Sequence, residues 1–243
     1  MPADPTDPPR GLLAQWRQNR RYWSRVWFAR FWHRLFARLR LEGFDRLPPG
    51  PYILAPNHVS HFDAMAVVQA SPRPVALMAS TEVFNWPVVR WVLRGIDPIP
   101  VDRFKTDPGS LTRARERLDR GQIVVMFPEG GIRSGPTSVL EGAPLRGGVA
   151  WLAQTTGCPV RPVLVAGSDR YYTVAAWLRR DGAWLIVGEP LTANPELPPK
   201  EAREDFNRRL GEAYRALYDQ WRARPEVPRS AWPRTAQERW GRA

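Results

Sequence analysis

Past the breaker Leu47-Pro48-Pro49-Gly50, short apolar runs alternate with longer stretches whose apolar residues recur at helical spacing. The runs Tyr52 to Ala55, Val75 to Ala79, Ile99 to Val101, Gln122 to Phe127, Val160 to Ala166 and Trp184 to Val187 read as strands. The stretches Phe62 to Ala70, Phe84 to Arg94, Ser110 to Arg120, Gly147 to Thr156 and Lys200 to Ala223 read as helices. Such alternation predicts βαβ units, and so an α/β fold with a mostly parallel central sheet flanked by helices on both faces. Ligands of such sheets bind beyond the carboxyl ends of the strands, so functional residues are expected in the loops of one sheet edge.

The first 47 residues follow another pattern. Gly11 to Arg40 contains no acid, no Pro and no further Gly, which predicts helix. At about 100° per residue, Leu12, Leu13, Trp16, Trp23, Val26 and Trp27 share a face, with Arg17, Arg21 and Arg25 opposite. Beyond Trp27 the apolar set rotates to Phe28, Phe31, Trp32, Leu35, Phe36 and Leu39, with Arg30, Arg34 and Arg38 across from it. One straight helix would not present one stripe, so a bend or two helices joined near Trp27 is expected. Aromatics interleaved with arginines are the composition of a helix lying at the level of lipid head groups. The bland alternative is a helix packed on its own domain. The expected organisation is therefore a two-helix membrane-docking segment over 1–47, an α/β domain over 48–224 and a loosely held Pro-, Arg- and Trp-rich tail over 225–243.

Composition sharpens this. The 243 residues are 43% hydrophobic, enough to build a core. Lys+Arg 36 against Asp+Glu 24 gives a net charge of +12, which calls for an anionic partner. Residues 1–47 hold Arg10, Arg17, Arg20, Arg21, Arg25, Arg30, Arg34, Arg38, Arg40 and Arg46 against Asp4, Asp7, Glu42 and Asp45, so half of that excess sits in a fifth of the chain. Cys158 is the single cysteine, which excludes a disulfide framework and a Cys-based zinc cluster, and no metal site is predicted. No cleavable signal is recognisable, and every window of roughly 20 residues contains at least one charge and most contain several, against a spanning helix. A peripheral protein on the cytoplasmic face of the inner or plasma membrane is expected.

The chain has no G-x-x-x-x-G-K, no G-x-G-x-x-G after a strand and no G-x-S-x-G, which removes NTPase, dinucleotide-binding and serine-hydrolase readings. The informative stretch is Pro56-Asn57-His58-Val59-Ser60-His61-Phe62-Asp63, at the end of the first strand of the α/β region. His58 and Asp63 would stand about 140° apart on a helix, so the chain must turn between them if they are to meet. With Ser60 as N-cap, Asp63 falls in the first turn and can accept from one imidazole nitrogen, leaving the other as a base. The same Ser60-x-x-Asp63 pattern also reads as a capping box that needs no catalysis. Downstream, Ile99-Pro100-Val101-Asp102-Arg103 delivers an arginine at a strand end. Phe127-Pro128-Glu129-Gly130-Gly131-Ile132-Arg133 turns a strand into a Gly-rich loop, and Pro159-Val160-Arg161-Pro162-Val163 opens a further strand.

These four blocks, in this order from Tyr52 to Pro190, resemble the glycerolipid acyltransferase family, the PlsC-like group that includes 1-acyl-glycerol-3-phosphate (lysophosphatidate) acyltransferases. The resemblance implies His58 as general base and Asp63 as its partner. It implies that Arg103 and the Glu129-Gly130 block, with Asn57, Gly131 and Arg133 in the candidate set, bind the acceptor, and that Pro162 and Val163 lie on the acyl-donor side. The family most often has Thr then Arg after Phe-Pro-Glu-Gly; here Gly131 and Ile132 precede Arg133. Lys105 is a candidate for stabilising the oxyanion, with solvated loop charge as the alternative; backbone N–H groups after His58 are another candidate.

The chemistry is consistent with that set. Acyl transfer from a thioester to an alcohol needs a base, and an imidazole with an unperturbed pKa of about 6.5 suits the task. Thioesters are reactive enough for direct attack, so no covalent acyl-enzyme is required. No cofactor is implied beyond the co-substrate, acyl-CoA or acyl carrier protein. The expected partners are an anionic membrane surface, a lysophospholipid and an acyl thioester, and not nucleic acid. A basic nucleic-acid-binding module would account for the charge and the Trp content but leaves the His58 and Glu129 blocks unexplained. A non-catalytic lipid-binding scaffold and an acyltransferase acting on another lysolipid stand as further alternatives.

Overall fold

A computed structural model of the chain describes residues 20–85, 90, 93, 96, 98–102 and 107–235, the side chains of residues 21, 32, 33, 36 and 84 apart. Helix α1 (Arg20–Phe36) leads into strand β1 (Arg38–Glu42). There follow β2 (Ile53–Pro56), α2 (Asp63–Ala70), β3 (Val75–Ser80), β4 (Ile99–Val101), α3 (Pro108–Asp119) and β5 (Ile123–Val125). The chain ends its regular structure with α4 (Gly148–Thr156), β6 (Val160–Ala166), α5 (Val174–Arg179), β7 (Gly182–Val187) and α6 (Pro199–Arg222).

The seven strands form a sheet in the order β1-β7-β6-β2-β5-β3-β4. Neighbours run parallel except β6 and β7, which are antiparallel, so β1 and β7 run against the other five. Period-two alternation sorts the strand side chains to two buried faces. Ile53, Ala55, Ala76, Met78, Val124, Val160 and Leu164 face a core closed by α3, α4 and α6. Leu54, Leu77, Val125, Val163, Val165 and Leu185 face a second core closed by α1 and α2. Burial on both faces is why the strands read as continuous apolar runs. Helix α6 contributes Ala202, Phe206, Leu210, Tyr214, Tyr218 and Trp221, a stripe at intervals of three and four residues that is buried along its whole length.

The central strand β2 lies between β5 and β6, in register Ile53↔Val124 and Ile53↔Val160. All three run the same way, so their carboxyl ends deliver His58, Glu129 and Ser168 to one edge of the sheet. That edge is the crevice where the chain leaves β2 in one direction while β6 lies on the other side, the position at which open α/β sheets bind ligands.

Three expectations are corrected here. Helix α1 runs unbroken from Arg20 to Phe36, with no joint near Trp27. It packs through Tyr22, Val26 and Ala29, while Trp27, Phe28, Phe31 and Leu35 stay exposed. The apolar residues that did not fit one stripe are thus left facing outward, with no bend to carry them into the core. Residues 38–42 are a strand and not the end of that helix: Arg38-Leu39-Arg40-Leu41-Glu42 alternates strictly, the period of a half-buried edge strand, and pairs with β7 from Arg38↔Gly182 to Glu42↔Ile186. The tail is packed and not loose as far as Thr235, because Val227 and Ala231 are buried and Trp232 packs on the α6 side of the core. Most of the helix expected over 84–94, and residues 236–243, lie outside the described residues.

Candidate active site

The turn between β2 and α2 is organised around the carboxylate of Asp63, which is wholly buried. Its Oδ2 accepts from the backbone N–H groups of Val59 at 2.7 Å and Ser60 at 2.8 Å, and faces His58 Nδ1 at 3.0 Å. Its Oδ1 accepts from the Ser60 hydroxyl at 3.0 Å and from the Ser168 hydroxyl. Ser60 Oγ in turn accepts from the Phe62 N–H at 3.1 Å. The expected N-cap is corrected here: the helix starts at Asp63 with Phe62 at its N-cap, and Ser60 lies in the turn before it, so the Asp63 carboxylate gathers the N–H and hydroxyl of Ser60 while also holding the imidazole. Since Oδ2 is already an acceptor for two backbone N–H groups, Nδ1 must be the donor to it, which fixes the tautomer and leaves Nε2 as the free base. Among the described residues no group hydrogen-bonds Nε2. Phe127 stacks on the ring, with centroids 4.2 Å apart and planes at 32°, so the imidazole is held by a hydrogen bond to a carboxylate on one edge and an aromatic face on one side.

Glu129 is buried and holds the second loop of the site. Its Oε2 accepts from the His58 N–H at 2.5 Å, and its Oε1 accepts from the Ser138 hydroxyl at 2.9 Å and the Val139 N–H at 2.8 Å. Burial pushes its carboxyl pKa up, against those hydrogen bonds and the charge of His58, which pull it down. Both oxygens are engaged by the chain itself, so Glu129 ties the His58 turn to the 138–139 turn. This corrects the expectation that it contacts the acceptor directly. The same loop donates the Arg133 N–H to the His58 carbonyl at 2.7 Å. Gly130 has φ +65, and a Cβ there would stand 2.4 Å from Arg146 Nε. Glycine is required on both counts, because the Arg146 side chain lies across the place a methyl would occupy.

Arg133 and Arg146 are both exposed, and neither has an acidic partner among the described residues. The backbone N–H groups of Gly131 and Ile132 are likewise not taken by any group described. Two guanidiniums thus flank a Gly-rich loop that is tied directly to His58. Sequence reading missed Arg146, along with Ser138 and Ser168, since none stands near the motifs in the chain; only the fold brings them in.

Other expected site residues sit elsewhere. Asn57 is buried and serves the sheet: its Nδ2 donates to the Val165 carbonyl at 3.0 Å and its Oδ1 accepts from the Val165 N–H at 2.7 Å, extending the β2–β6 ladder with a side chain. It does not face a ligand. Pro162 and Val163 lie inside β6, paired with Ala55 and Pro56, and are buried, so they cannot line an acyl-donor groove. The N–H groups of Val59 and Ser60 are held by Asp63 and do not form an oxyanion hole. Arg103 and Lys105 lie outside the described residues, as do Trp16, Arg17 and the side chains of Arg21 and Trp32. Of the remaining docking set, Trp27 and Phe31 are 65% and 64% exposed, while Trp23 and Arg25 are half-buried. His61 turns away from Asp63 to Tyr172, whose hydroxyl lies 2.9 Å from its N–H and 2.5 Å from Nδ1.

The family profile described as Acyltransferase matches residues 38–166, more than half of the chain and the span from β1 through β6. The chain belongs to the acyltransferase family. This acyltransferase is 29% identical over 168 residues to the 1-acyl-sn-glycerol-3-phosphate acyltransferase of Bacillus subtilis (strain 168), covering 66% of the chain and 80% of that relative. It is 35% identical over 114 residues to the lyso-ornithine lipid O-acyltransferase of Rhizobium meliloti (strain 1021), covering 44% of the chain and 38% of the relative. Its fold is that of the solved 1-acyl-sn-glycerophosphate (LPA) acyltransferase PlsC from Thermotoga maritima, with a TM-score of 0.66 at 22% identity over 87% of this chain and 85% of that one. Among the described residues, no helix of this acyltransferase is long and apolar enough to cross a membrane.

Proposed function

We propose that this acyltransferase moves a fatty acyl group from a thioester, acyl-CoA or acyl carrier protein, to the free hydroxyl of a lysophospholipid, with 1-acyl-glycerol-3-phosphate as the favoured acceptor and phosphatidate as product. The observation that carries this reading is the Nε2 of His58, to which no described group hydrogen-bonds, beside a loop flanked by two guanidiniums without an acidic partner among the described residues. The acceptor phosphate sits over Gly130-Gly131, gripped by Arg133 and Arg146 and approached by the Gly131 and Ile132 N–H groups. The acceptor hydroxyl then lies against Nε2.

The reaction proceeds without a covalent enzyme intermediate. Nε2 takes the hydroxyl proton as the oxygen attacks the thioester carbonyl; the new C–O bond forms, the C–S bond breaks, and the imidazolium returns the proton to the departing thiolate. Asp63 fixes the ring and stabilises the transient imidazolium. General-base assistance of this kind contributes about 10²- to 10⁴-fold.

The lipid substrate calls for contact with a bilayer. Exposed Trp27, Phe28, Phe31 and Leu35 of α1, Leu41 of β1, and Val174 and Leu178 of α5 support a docking face. An open groove of about 1020 Å³ between α1 and β1 is lined by Arg30, Arg34, Arg38 and Arg180 and by no carboxylate. That charge favours an anionic leaflet and, with it, peripheral attachment at the cytoplasmic face.

A second acceptor deserves a place in the test because one relative's name specifies a lyso-ornithine lipid, whose head group lacks phosphate. Initial rates should be measured with lysophosphatidate, lyso-ornithine lipid and a neutral monoacylglycerol. The expected order places lysophosphatidate first, and Arg133→Ala or Arg146→Ala should raise its KM by about tenfold, one lost phosphate contact, with kcat little changed. Equal rates on the neutral acceptor, or a KM unmoved by either variant, would contradict the phosphate clamp.

A further inference from the structure

With Pro162 and Val163 buried, the acyl donor needs another place to bind, and one lies in the segment between β6 and β7, which begins at the Ser168 turn. A polar cavity of about 430 Å³ is lined by Arg170, Thr173, Arg179, Asp181, Ser230 and Arg234. It opens at the same sheet edge as the His-Asp pair. Ser168, which hydrogen-bonds Asp63, is followed directly by Asp169, and Asp169 Oδ2 accepts from the Arg234 N–H at 3.3 Å. One residue further, Thr235 crowds Gly135, where an added Cβ would stand 2.9 Å from its methyl group, so the packed tail spans from the Ser168 turn to the loop that carries Arg133.

The cavity is built and cationic. Arg170 is only 10% exposed at its side chain and is fixed by the Gly167 carbonyl at 3.2 Å, by the Gly182 carbonyl and by Asp181 at 3.5 Å. Arg179 reaches the same Asp181 at 3.3 Å, so one carboxylate serves two guanidiniums. The Arg234 guanidinium has no acidic partner among the described residues. Arg170 and Arg179 thus share one carboxylate, and the Arg234 side chain adds a third positive charge beside a backbone N–H held by Asp169, so the cavity carries more positive than negative charge and suits an anion.

We infer that this cavity binds the phosphates of coenzyme A in the acyl-CoA donor, with the pantetheine arm running over the outside of the sheet edge, above the buried Ser168, so that the thioester reaches His58. The inference rests on the acyl-transfer reading above and divides the labour of its two anions: acceptor phosphate on Arg133 and Arg146, donor phosphates on Arg170, Arg179 and Arg234. The C-terminal tail then has a function, since it supplies Ser230 and Arg234.

The test uses the full chain with Arg179 and Arg234 both replaced by Gln, leaving the structurally engaged Arg170 intact. Adenosine 3′,5′-bisphosphate, the phosphate-bearing end of the donor, should bind the wild type in calorimetry and compete with acyl-CoA, and should do neither in the variant. KM for acyl-CoA should rise about tenfold, the equivalent of about 1.4 kcal/mol. KM for the lysolipid should stay put, and acyl-pantetheine, which carries no phosphate, should serve both proteins equally. A wild type that does not bind the nucleotide, a KM for acyl-CoA unchanged in the variant, or an equal defect with acyl-pantetheine overturns the inference. A wild type that binds the nucleotide but transfers no acyl group from any donor would instead leave the cavity standing and sink the acyl-transfer reading.

Discussion

Asp63 is the residue on which the site turns, because five donors hydrogen-bond directly to its two oxygens. An Asn at 63 keeps the shape but must aim its N–H₂ at donors, leaving buried groups unpaired at a cost of about 1–3 kcal/mol. It also loses the acceptor that sets the imidazole tautomer, a change that lowers kcat by up to about 10⁴-fold in comparable triads. Asp63→Asn should therefore lose both stability and activity, whereas Ser168→Ala, which removes one hydroxyl of five donors, should cost about 1 kcal/mol and leave turnover nearly intact; urea unfolding and initial rates check both. The sequence made the His58–Asp63 pairing legible because five-residue spacing across a strand end leaves the chain one way to bring them together. It could not show that Ser168, 105 positions further on, completes the carboxylate's shell. It also misassigned Asn57, whose side chain satisfies a strand where the motif suggested a ligand contact.

At the level of elements, the buried strands were easy to read, since both faces of β2, β3, β5 and β6 are covered. Edges were harder. β1 was hidden at the end of an apparently continuous helical stretch, although its strict alternation was the available signal, and the start of α3 moves to Pro108 because Asp107 caps it, its Oδ1 accepting from the Ser110 N–H at 3.0 Å. The loop after β5 depends on Glu129. Its raised pKa means the folded chain keeps that proton to higher pH than the unfolded chain does. The stability this gives is therefore fully present below the unfolded value and lost as pH rises through the folded one. Glu129→Gln removes the titration and turns an N–H₂ toward a donor. The variant should be the less stable protein, by a margin that shrinks as pH rises from about 4 through that window; a margin that widens with pH in urea unfolding would contradict the assignment.

Seen whole, the molecule separates two kinds of positive charge. One set, along α1, β1 and α5, accompanies exposed aromatic and aliphatic side chains; the other lines the sheet edge where His58 stands. The sequence anticipated the first set from the clustering of arginines but not its geometry, since the apolar face depends on which α1 residues the core leaves outside. Replacing Trp27 and Phe31 by Ser should strip the protein from vesicles of anionic phospholipid. Binding by the wild type should weaken as salt rises, because each arginine near such a surface contributes about 1 kcal/mol through a screened interaction. Co-sedimentation that is equal for both proteins, or indifferent to salt, would count against this docking face.

The central claim is that Nε2 of His58 takes the proton of the acceptor hydroxyl. Its most direct test is single-turnover acyl transfer to lysophosphatidate by wild type and His58→Gln, with circular dichroism confirming that both are folded. A fall of about 10²- to 10⁴-fold in the rate of the chemical step is expected; a folded variant that transfers the acyl group as fast as the wild type would contradict the account.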